Sequence, residues 1–290
     1  MAWVITESLD EFLTGAGEFL RSEPVRNTLA LTIAETLRAS GLAAYGDAAP
    51  LFGWWQAADG TATGAFLQTP PYPMLLTRVP SRAVPALADA LADALAVAGR
   101  PLPGINAGRE AAEEFAAEWL RRTGGTYEVH QHHRLYRLGE LVPPRPAPPG
   151  RGRVATAADR DLILKWWEAF VREAGDTPGD RTAVVDDRMG HGGLTLWEVD
   201  GVPVSMAGLS RQVAGVVRLG PVYTPSRLRR RGYAGAATAA VSRAALDAGA
   251  TEVLLFADLA NPASNALYER LGYRRVGDWV ILSFVDGKSF

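Results

Sequence analysis

Apolar residues recur along this chain in two rhythms. Leu162, Trp166 and Phe170 stand four apart, which predicts a helix over 158–174. After it come two apolar runs, 194–199 and 202–210, joined at Asp200-Gly201, a hairpin signal between strands. A further strand is expected over 216–224, then an alanine-rich helix over 232–248 closed by Gly249. Val253-Leu254-Leu255-Phe256 is an unbroken apolar run and reads as a buried strand within 252–257. Asn261 caps a short helix with Pro262 at its first position, and Gly272 ends it. The stretch 273–284 supplies the last strand or strands, and 154–156 a short first one.

The first half repeats this order. A long helix is expected over 9–37, strands over 51–56, 62–68 and 74–77, and an alanine-rich helix over 83–98 closed by Gly99. A weak strand at 104–107, a helix at 109–122 and a strand at 127–138 complete it. Matching element order suggests a duplicated unit. Between the halves, 141–153 holds five prolines and two glycines, a composition that sustains neither helix nor central strand and predicts a semi-extended linker. The expected organisation is therefore a first domain over 1–140, the linker over 141–153 and a second domain over 154–290. The fold class is α/β (α+β): two domains, each with a mixed, mostly antiparallel twisted sheet flanked by helices.

Composition narrows the chemistry. The chain has 290 residues, 48% of them hydrophobic, and a formal net charge of −2. A nucleic-acid binder would usually be more basic. There is no cysteine, which removes disulfides, thiolate metal ligands and a cysteine nucleophile, and fits a cytoplasmic location. The N-terminal residues do not read as a signal peptide, and the apolar stretch at 83–98 is interrupted by Asp89 and Asp93 and too short to span a bilayer. A soluble monomer or homodimer is expected, with no membrane partner.

The segment 222–235, Val-Tyr-Thr-Pro-Ser-Arg-Leu-Arg-Arg-Arg-Gly-Tyr-Ala-Gly, joins a predicted strand to a predicted helix. The first N–H groups of a helix lack intrahelical partners and face outward at its positive end, where a phosphate satisfies them. Gly232 and Gly235 would let a phosphate approach the main chain, and arginines would add charge-assisted bonds. Three other readings compete: a solvated charge run, a nucleic-acid patch over 227–231, or glycines that only permit tight helix packing. No Gly-Lys-Ser/Thr follows, so the loop is not a P-loop, and its glycine spacing is not that of a dinucleotide site.

Arg229-x-x-Gly232-x-Ala234, preceded by Val222-Tyr223-Thr224-Pro225 and followed by Asn261-Pro262-Ala263-Ser264-Asn265-Ala266-Leu267-Tyr268-Glu269-Arg270-Leu271-Gly272-Tyr273, resembles the GNAT superfamily of N-acetyltransferases. The resemblance covers the second half; the first resembles only the degenerate copy of tandem members. It implies acetyl-CoA as cofactor, held by Val222, Tyr223, Thr224, Arg229, Arg230, Arg231, Gly232, Tyr233, Ala234, Gly235, Asn261, Asn265 and Tyr268. It implies that the pantetheine arm lies between two splayed strands, and that a small-molecule or peptide amine attacks the thioester directly. A backbone N–H near Val222 or Tyr223 would stabilise the oxyanion. Tyr268 would protonate the departing thiolate, a phenol of reference pKa about 10 facing a thiol of about 8.5. The matching loop of the first half, 77–83, contains no glycine, and Arg109 and Asn106 do not restore a site, so one cofactor site per chain is expected.

The acceptor ammonium must lose a proton to a base or to water. Glu173, beside Trp166, Trp167 and Phe170 at the end of its helix, is the favoured base; Glu198, Asp258 and His191 are the other candidates, His191 on a loop expected to be exposed. Trp167 and Phe170 are the candidate acceptor-lining residues, with Trp166 and Phe170 sharing a core-facing side by default. His130 and His132 share one face of a strand next to His133, but no carboxylate stands at ligand spacing, and no metal is expected. A non-catalytic acyl-CoA-binding protein and a nucleic-acid module are the rival functions.

Overall fold

The computed structural model describes residues 1–285. In chain order the strands and helices are β1 Ala2–Thr6, α1 Leu9–Ser22, α2 Thr28–Ser40, β2 Leu51–Gln56, β3 Ala62–Gln68, β4 Met74–Leu76, α3 Val84–Ala98, β5 Gly104–Gly108, α4 Arg109–Thr123 and β6 Thr126–Leu138. They continue with β7 Arg151–Val154, α5 Arg160–Ala174, α6 Thr182–Gly190, β8 Leu194–Val199, β9 Val202–Leu209, β10 Val216–Tyr223, α7 Tyr233–Asp247, β11 Glu252–Asp258, α8 Pro262–Arg270 and β12 Tyr273–Val285. The helix expected over 9–37 is two helices, because Pro24 has no N–H to continue α1 and the chain turns before α2 begins. Between 175 and 193 the hydrophobic rhythm predicts nothing, yet α6 forms there.

The chain divides into two compact units that alternate in sequence. Unit 1 is Met1–Ala34, Gly46–His133 and the stretch from Gly277; unit 2 is Glu35–Tyr45 and Arg134–Val276. The sequence places the division within 141–153, whereas β6 passes from unit 1 to unit 2 and β12 from unit 2 to unit 1. Each unit is a mixed, mostly antiparallel sheet flanked by helices.

In unit 1, β1 pairs with β2, β2 with β3 and β3 with β4, all antiparallel, and β4 runs parallel to β5. The second half of β12 then closes on β5, from Trp279 opposite Gly108 to Ser283 opposite Gly104. Val280 and Leu282 of that strand enter the core made by Met74, Leu76, Leu87, Leu91, Ile105 and Phe115, where α3 and α4 pack. Full burial of such side chains stabilises by about 1.5–3 kcal/mol each.

In unit 2, β7, β8, β9 and β10 are antiparallel neighbours, β10 is parallel to β11, and the end of β6 lies beside β11. Alternation along β9, and in β10 the register shift between Leu219 and Val222, serve two cores. Ala207, Val217 and Leu219 meet Ala237, Val241 and Ala245 of α7 and Tyr268 and Leu271 at α8. Met206 and Tyr223 meet Ile163, Trp166 and Trp167 of α5 and Val184 and Val185 of α6 on the other face.

The proline-rich segment is a strap on unit 2 and not a free spacer. Gly139 N donates to Gly272 O at 3.0 Å, Val142 N to Leu271 O at 3.0 Å, and Trp197 Nε1 to Pro149 O at 2.9 Å. Leu141 is buried in the α7–α8 core. Gly272 allows this approach: its φ is +97°, and a Cβ there would collide with the Glu140 carbonyl oxygen.

Candidate active site

β10 and β11 are paired only at their beginnings. Val216 faces Glu252 and Leu219 faces Leu255; beyond that point the parallel ladder stops, although β10 runs on to Tyr223 and β11 to Asp258. The cause lies in β10, whose register with β9 shifts between Leu219 and Val222, a bulge centred on Gly220-Pro221. Pro221 brings no N–H to a ladder, so pairing is lost where the strand bends. From there on the two strand ends, 220–223 and 256–258, share no ladder.

After β10 the chain turns through Ser226–Leu228 and enters α7 with Gly232 as N-cap at φ +84°, a left-handed conformation that glycine adopts without strain. No side chain caps this end. Among the described residues, the N–H groups from Arg230 to Gly235 donate to no acceptor outside the helix. Those of Gly232 to Gly235 are the free N–H groups at the positive end of a 15-residue helix. Arg230 and Arg231 are exposed and make no ion pair among the described residues, so both charges are available at this end.

Arg229 is committed elsewhere. Its Nε donates to Thr224 O at 2.9 Å, its Nη2 pairs with Glu173 Oε2, and its guanidinium carbon stands 5.9 Å from the Tyr223 ring centre. Tyr223 Oη donates to Glu173 Oε1 at 3.1 Å. Burial raises the Glu173 carboxyl, but the hydrogen bonds from Arg229 and Tyr223 outweigh it and hold the group below its ordinary value. Tyr223 is itself raised, by burial first and then by Glu173. Thr224 Oγ1 lies 2.8 Å from Ser205 Oγ, which also donates to Tyr223 O at 3.0 Å, fixing the strand end.

Tyr268 is buried, with its ring edge-on to Tyr273 at 6.0 Å and tilted to Tyr136 at 6.5 Å. Its hydroxyl makes no hydrogen bond among the described residues. Burial pushes its pKa up to about 12, so it stays a neutral proton donor. Tyr136 Oη, in contrast, sits 2.9 Å from Asn265 Oδ1 and 3.2 Å from Glu269 Oε1.

Residues 160–273 match the model of the acetyltransferase (GNAT) family. This segment is a GNAT acetyltransferase domain. No curated protein matches the chain in sequence. Solved structures share its fold along nearly the whole length. A tandem GNAT protein from the clavulanic acid biosynthesis pathway is 13% identical, with 99% of each chain covered and a TM-score of 0.60. A Drosophila protein is 14% identical, with 98% of each chain covered and a TM-score of 0.66. A GCN5-related N-acetyltransferase from Kribbella flavida is 21% identical, covering 89% of this chain and 96% of its own, with a TM-score of 0.57. Identities this low carry the fold alone.

Within the GNAT domain the residues singled out in the sequence are also engaged by their neighbours. Of the two loop glycines, Gly232 is called for by its φ of +84°, a Cβ there meeting Pro148 Cβ only at an ordinary contact distance of 3.4 Å, whereas a Cβ on Gly235 would stand a tight 3.0 Å from Leu267 Cδ1. Asn261 caps α8, its side chain accepting from Ser264 N at 3.1 Å. Asn265 spends its amide donors on Asp258 O at 2.7 Å and Asn261 O at 2.8 Å, bracing the turn from β11 into α8. Trp167 is buried beside Trp166, because a 3.6-residue period turns Ile163, Trp166, Trp167 and Val171 inward together, while Phe170 is only partly buried. His191 is not an exposed loop residue: it closes α6, its Nδ1 lies 2.7 Å from Asp187 O, and burial lowers its pKa. Glu198 is paired with Arg153 at 2.5 Å, and Asp258 Oδ1 accepts from Ala260 N at 2.9 Å.

The residue that sequence reasoning missed is Arg188. It lies on α6, stacked 5.0 Å over the Trp167 ring, and its Nη1 donates to the carbonyl of Gly220 at the bulge. The signal available was Val184-Val185 one turn earlier, a hydrophobic pair that needs a helix to face the core.

In unit 1 the corresponding helix start offers less. α3 begins with Val84-Pro85, so one of its first N–H groups is missing, and no side chain caps it. His132 Nδ1 lies 3.0 Å from Arg109 Nη2, a cation where a metal would need to approach. Among the described residues no cluster of three His, Cys, Asp or Glu could hold a metal ion, and no helix is long and apolar enough to cross a membrane.

Proposed function

We propose that the GNAT domain transfers an acetyl group from acetyl-CoA to a primary amine, on a small molecule or a peptide, within a ternary complex. The observation that carries this is the end of the β10–β11 ladder at Leu219 and Leu255, followed directly by the N-terminus of α7, which no side chain caps. The strand ends beyond the ladder suit the pantetheine arm, whose amides would complete the unpaired strand edges. The N–H groups of 231–235, with Arg230 and Arg231, suit the pyrophosphate. Bound there, the cofactor supplies the activated acyl thioester.

The amine nitrogen attacks the thioester carbonyl carbon, and the carbon–sulfur bond then breaks. A backbone N–H near Val222 or Tyr223 on the open edge of β10 stabilises the oxyanion. The acceptor ammonium gives a first proton to water before it attacks; the departing thiolate takes its proton from Tyr268, and the second proton, shed by the attacking nitrogen as it becomes an amide, restores the phenol through water. Glu173, held low by Arg229 and Tyr223, is a weak base; in this reading it positions Arg229 and Tyr223 and so fixes the loop. The absence of cysteine, with a fold that needs no thiol, is in keeping with work in the cytoplasm.

An acyl-CoA-binding protein without turnover is the second reading, favoured by the engagement of Glu173. Two measurements separate them. Acetyl-CoA is expected to raise the melting temperature of the full chain, and free thiol to appear when an amine panel is added. No shift at millimolar acetyl-CoA removes the cofactor assignment; a shift without thiol release from any amine leaves the binding protein. Binding to DNA or RNA that falls steeply with salt would instead favour the nucleic-acid reading of 227–231.

A further inference from the structure

Arg188 is 7% exposed, and a side chain of this kind is rarely so enclosed unless paired. No carboxylate pairs with it. Its bonded and ring partners among the described residues are the Gly220 carbonyl and the Trp167 ring. The adjacent carboxylate, Asp187, is already taken: Arg211 donates to its Oδ1 from Nε at 2.8 Å, with Nη2 at 2.7 Å, and His191 Nδ1 stands 3.8 Å from its Oδ2. Arg218, two places before Gly220 on β10, adds a second positive charge. Burial and that repulsion lower Arg188 to about 9, which leaves it charged at neutral pH.

The Nε and Nη2 donors of Arg188 therefore have no acceptor in the described chain. They are not sealed in. The fully enclosed unpartnered atoms include Nε and Nη2 of Arg100 and Nε of Arg181, but none of Arg188. Nε and Nη2 form the edge of the guanidinium fork that receives a carboxylate through two parallel bonds. Trp167 covers one face of the fork, which limits solvation and strengthens any charge pair formed there. The position is specific too: Gly220 lies on the bulge where β10 leaves β11, on the α5–α6 side of the sheet.

We propose that Arg188 binds an anionic group of the acceptor, so that the acyl acceptor is an amine that also carries a carboxylate. This rests on the acetyl-transfer reading given above. One guanidinium edge offsets one negative charge, which suits a carboxylate better than a phosphate dianion.

Two arms test it on the full chain. In the first, thiol release from acetyl-CoA is compared for matched amino acids and amino acid amides. The acid of at least one pair should exceed its amide at least tenfold in kcat/KM. Arg188→Met should lower the acid's value on the order of 100-fold and bring the pair nearly level, with stabilisation by coenzyme A unchanged. In the second arm, N-acetylglycine and N-acetylglycinamide are tested by thermal shift without cofactor. The acid should stabilise the wild type and not Arg188→Met, and the amide should stabilise neither. Arg188→Lys, which keeps a donor for Gly220, covers the case in which Arg188→Met does not fold; it should melt near the wild type and still lose the preference. Amides that match acids in both arms, or an acid that stabilises Arg188→Met as well as the wild type, overturn the proposal. Failure of the acetyl-transfer reading shows separately, as no shift with coenzyme A and no thiol from any amine, while the second arm still reports on Arg188.

Discussion

Replacing Tyr268 by phenylalanine removes one oxygen and leaves the ring against Tyr273 and Tyr136. The hydroxyl has no bonded partner among the described residues, so its loss orphans nothing. No partner is left unsatisfied by the change and the ring packing is kept, so the variant should melt close to the wild-type temperature. Turnover should move the other way. A positioned proton donor contributes about 10²–10⁴-fold, which is roughly 3–5 kcal/mol of barrier. With the phenol pushed up to about 12, Tyr268 remains protonated through the usual assay range, so it adds no basic limb to the pH profile. Single-turnover thiol release with preloaded acetyl-CoA reads the step directly, and the dissociation constant of coenzyme A should stay within about twofold, because the ring packing is kept. A turnover within about threefold of wild type would refute the donor role. So would a slow variant with weakened cofactor binding and a lower melting temperature, since that pattern belongs to a packing residue.

Three further outcomes follow from local geometry. Gly272→Ala should destabilise by about 3 kcal/mol or more in denaturant unfolding, against about 1–2 kcal/mol for Gly249→Ala, whose positive φ comes with open space; equal losses would mean the strap does not press on Gly272. Glu173→Gln should lower kcat less than about tenfold and leave the acid limb of kcat/KM in place, because a carboxylate held low is a poor base; a thousandfold loss together with that limb would restore Glu173 as the base. Asp159 is held low first by Arg153, whose guanidinium reaches it at 2.7 and 2.9 Å, and then by Thr156. Its folded pKa lies below its unfolded one, so its contribution is present above about pH 4 and lost as pH falls further. Asp159→Asn should therefore cost about 1–3 kcal/mol at neutral pH, a gap that narrows in acid; a gap that does not depend on pH would refute the assignment.

The parts of the molecule that local pattern controls were legible in the sequence. The hairpin at Asp200-Gly201, the capped start of α8 at Asn261-Pro262 and the strand–loop–helix from β10 into α7 depend on neighbours within a few residues. The remainder depends on distance along the chain. Prolines announced an irregular segment at 141–153, but nothing local tells that Leu141 is buried and Pro144 and Pro148 rest on Gly235 and Gly232. The alternation of β12 fits either unit equally well, and only its pairing with β5 assigns its second half to unit 1. In the site, residue types were read more surely than their engagements. Arg229, Asn265 and Trp167 are each held by neighbours that spacing cannot reveal.

The place of β12 has a consequence for how the chain comes into being. A ribosome releases residues in order, and unit 1 lacks the strand that covers β5 until residues 277–285 have emerged. At about 5–20 residues per second, the roughly 140 residues between the end of unit 1's middle segment and that strand take on the order of ten seconds to make. Throughout that interval the β5 edge, with Ile105 and Ala107 behind it, is open to any other extended segment. Nascent unit 1 is thus exposed for longest to mispairing with a second copy of itself. Separate expression of 1–140 would make that temporary condition permanent.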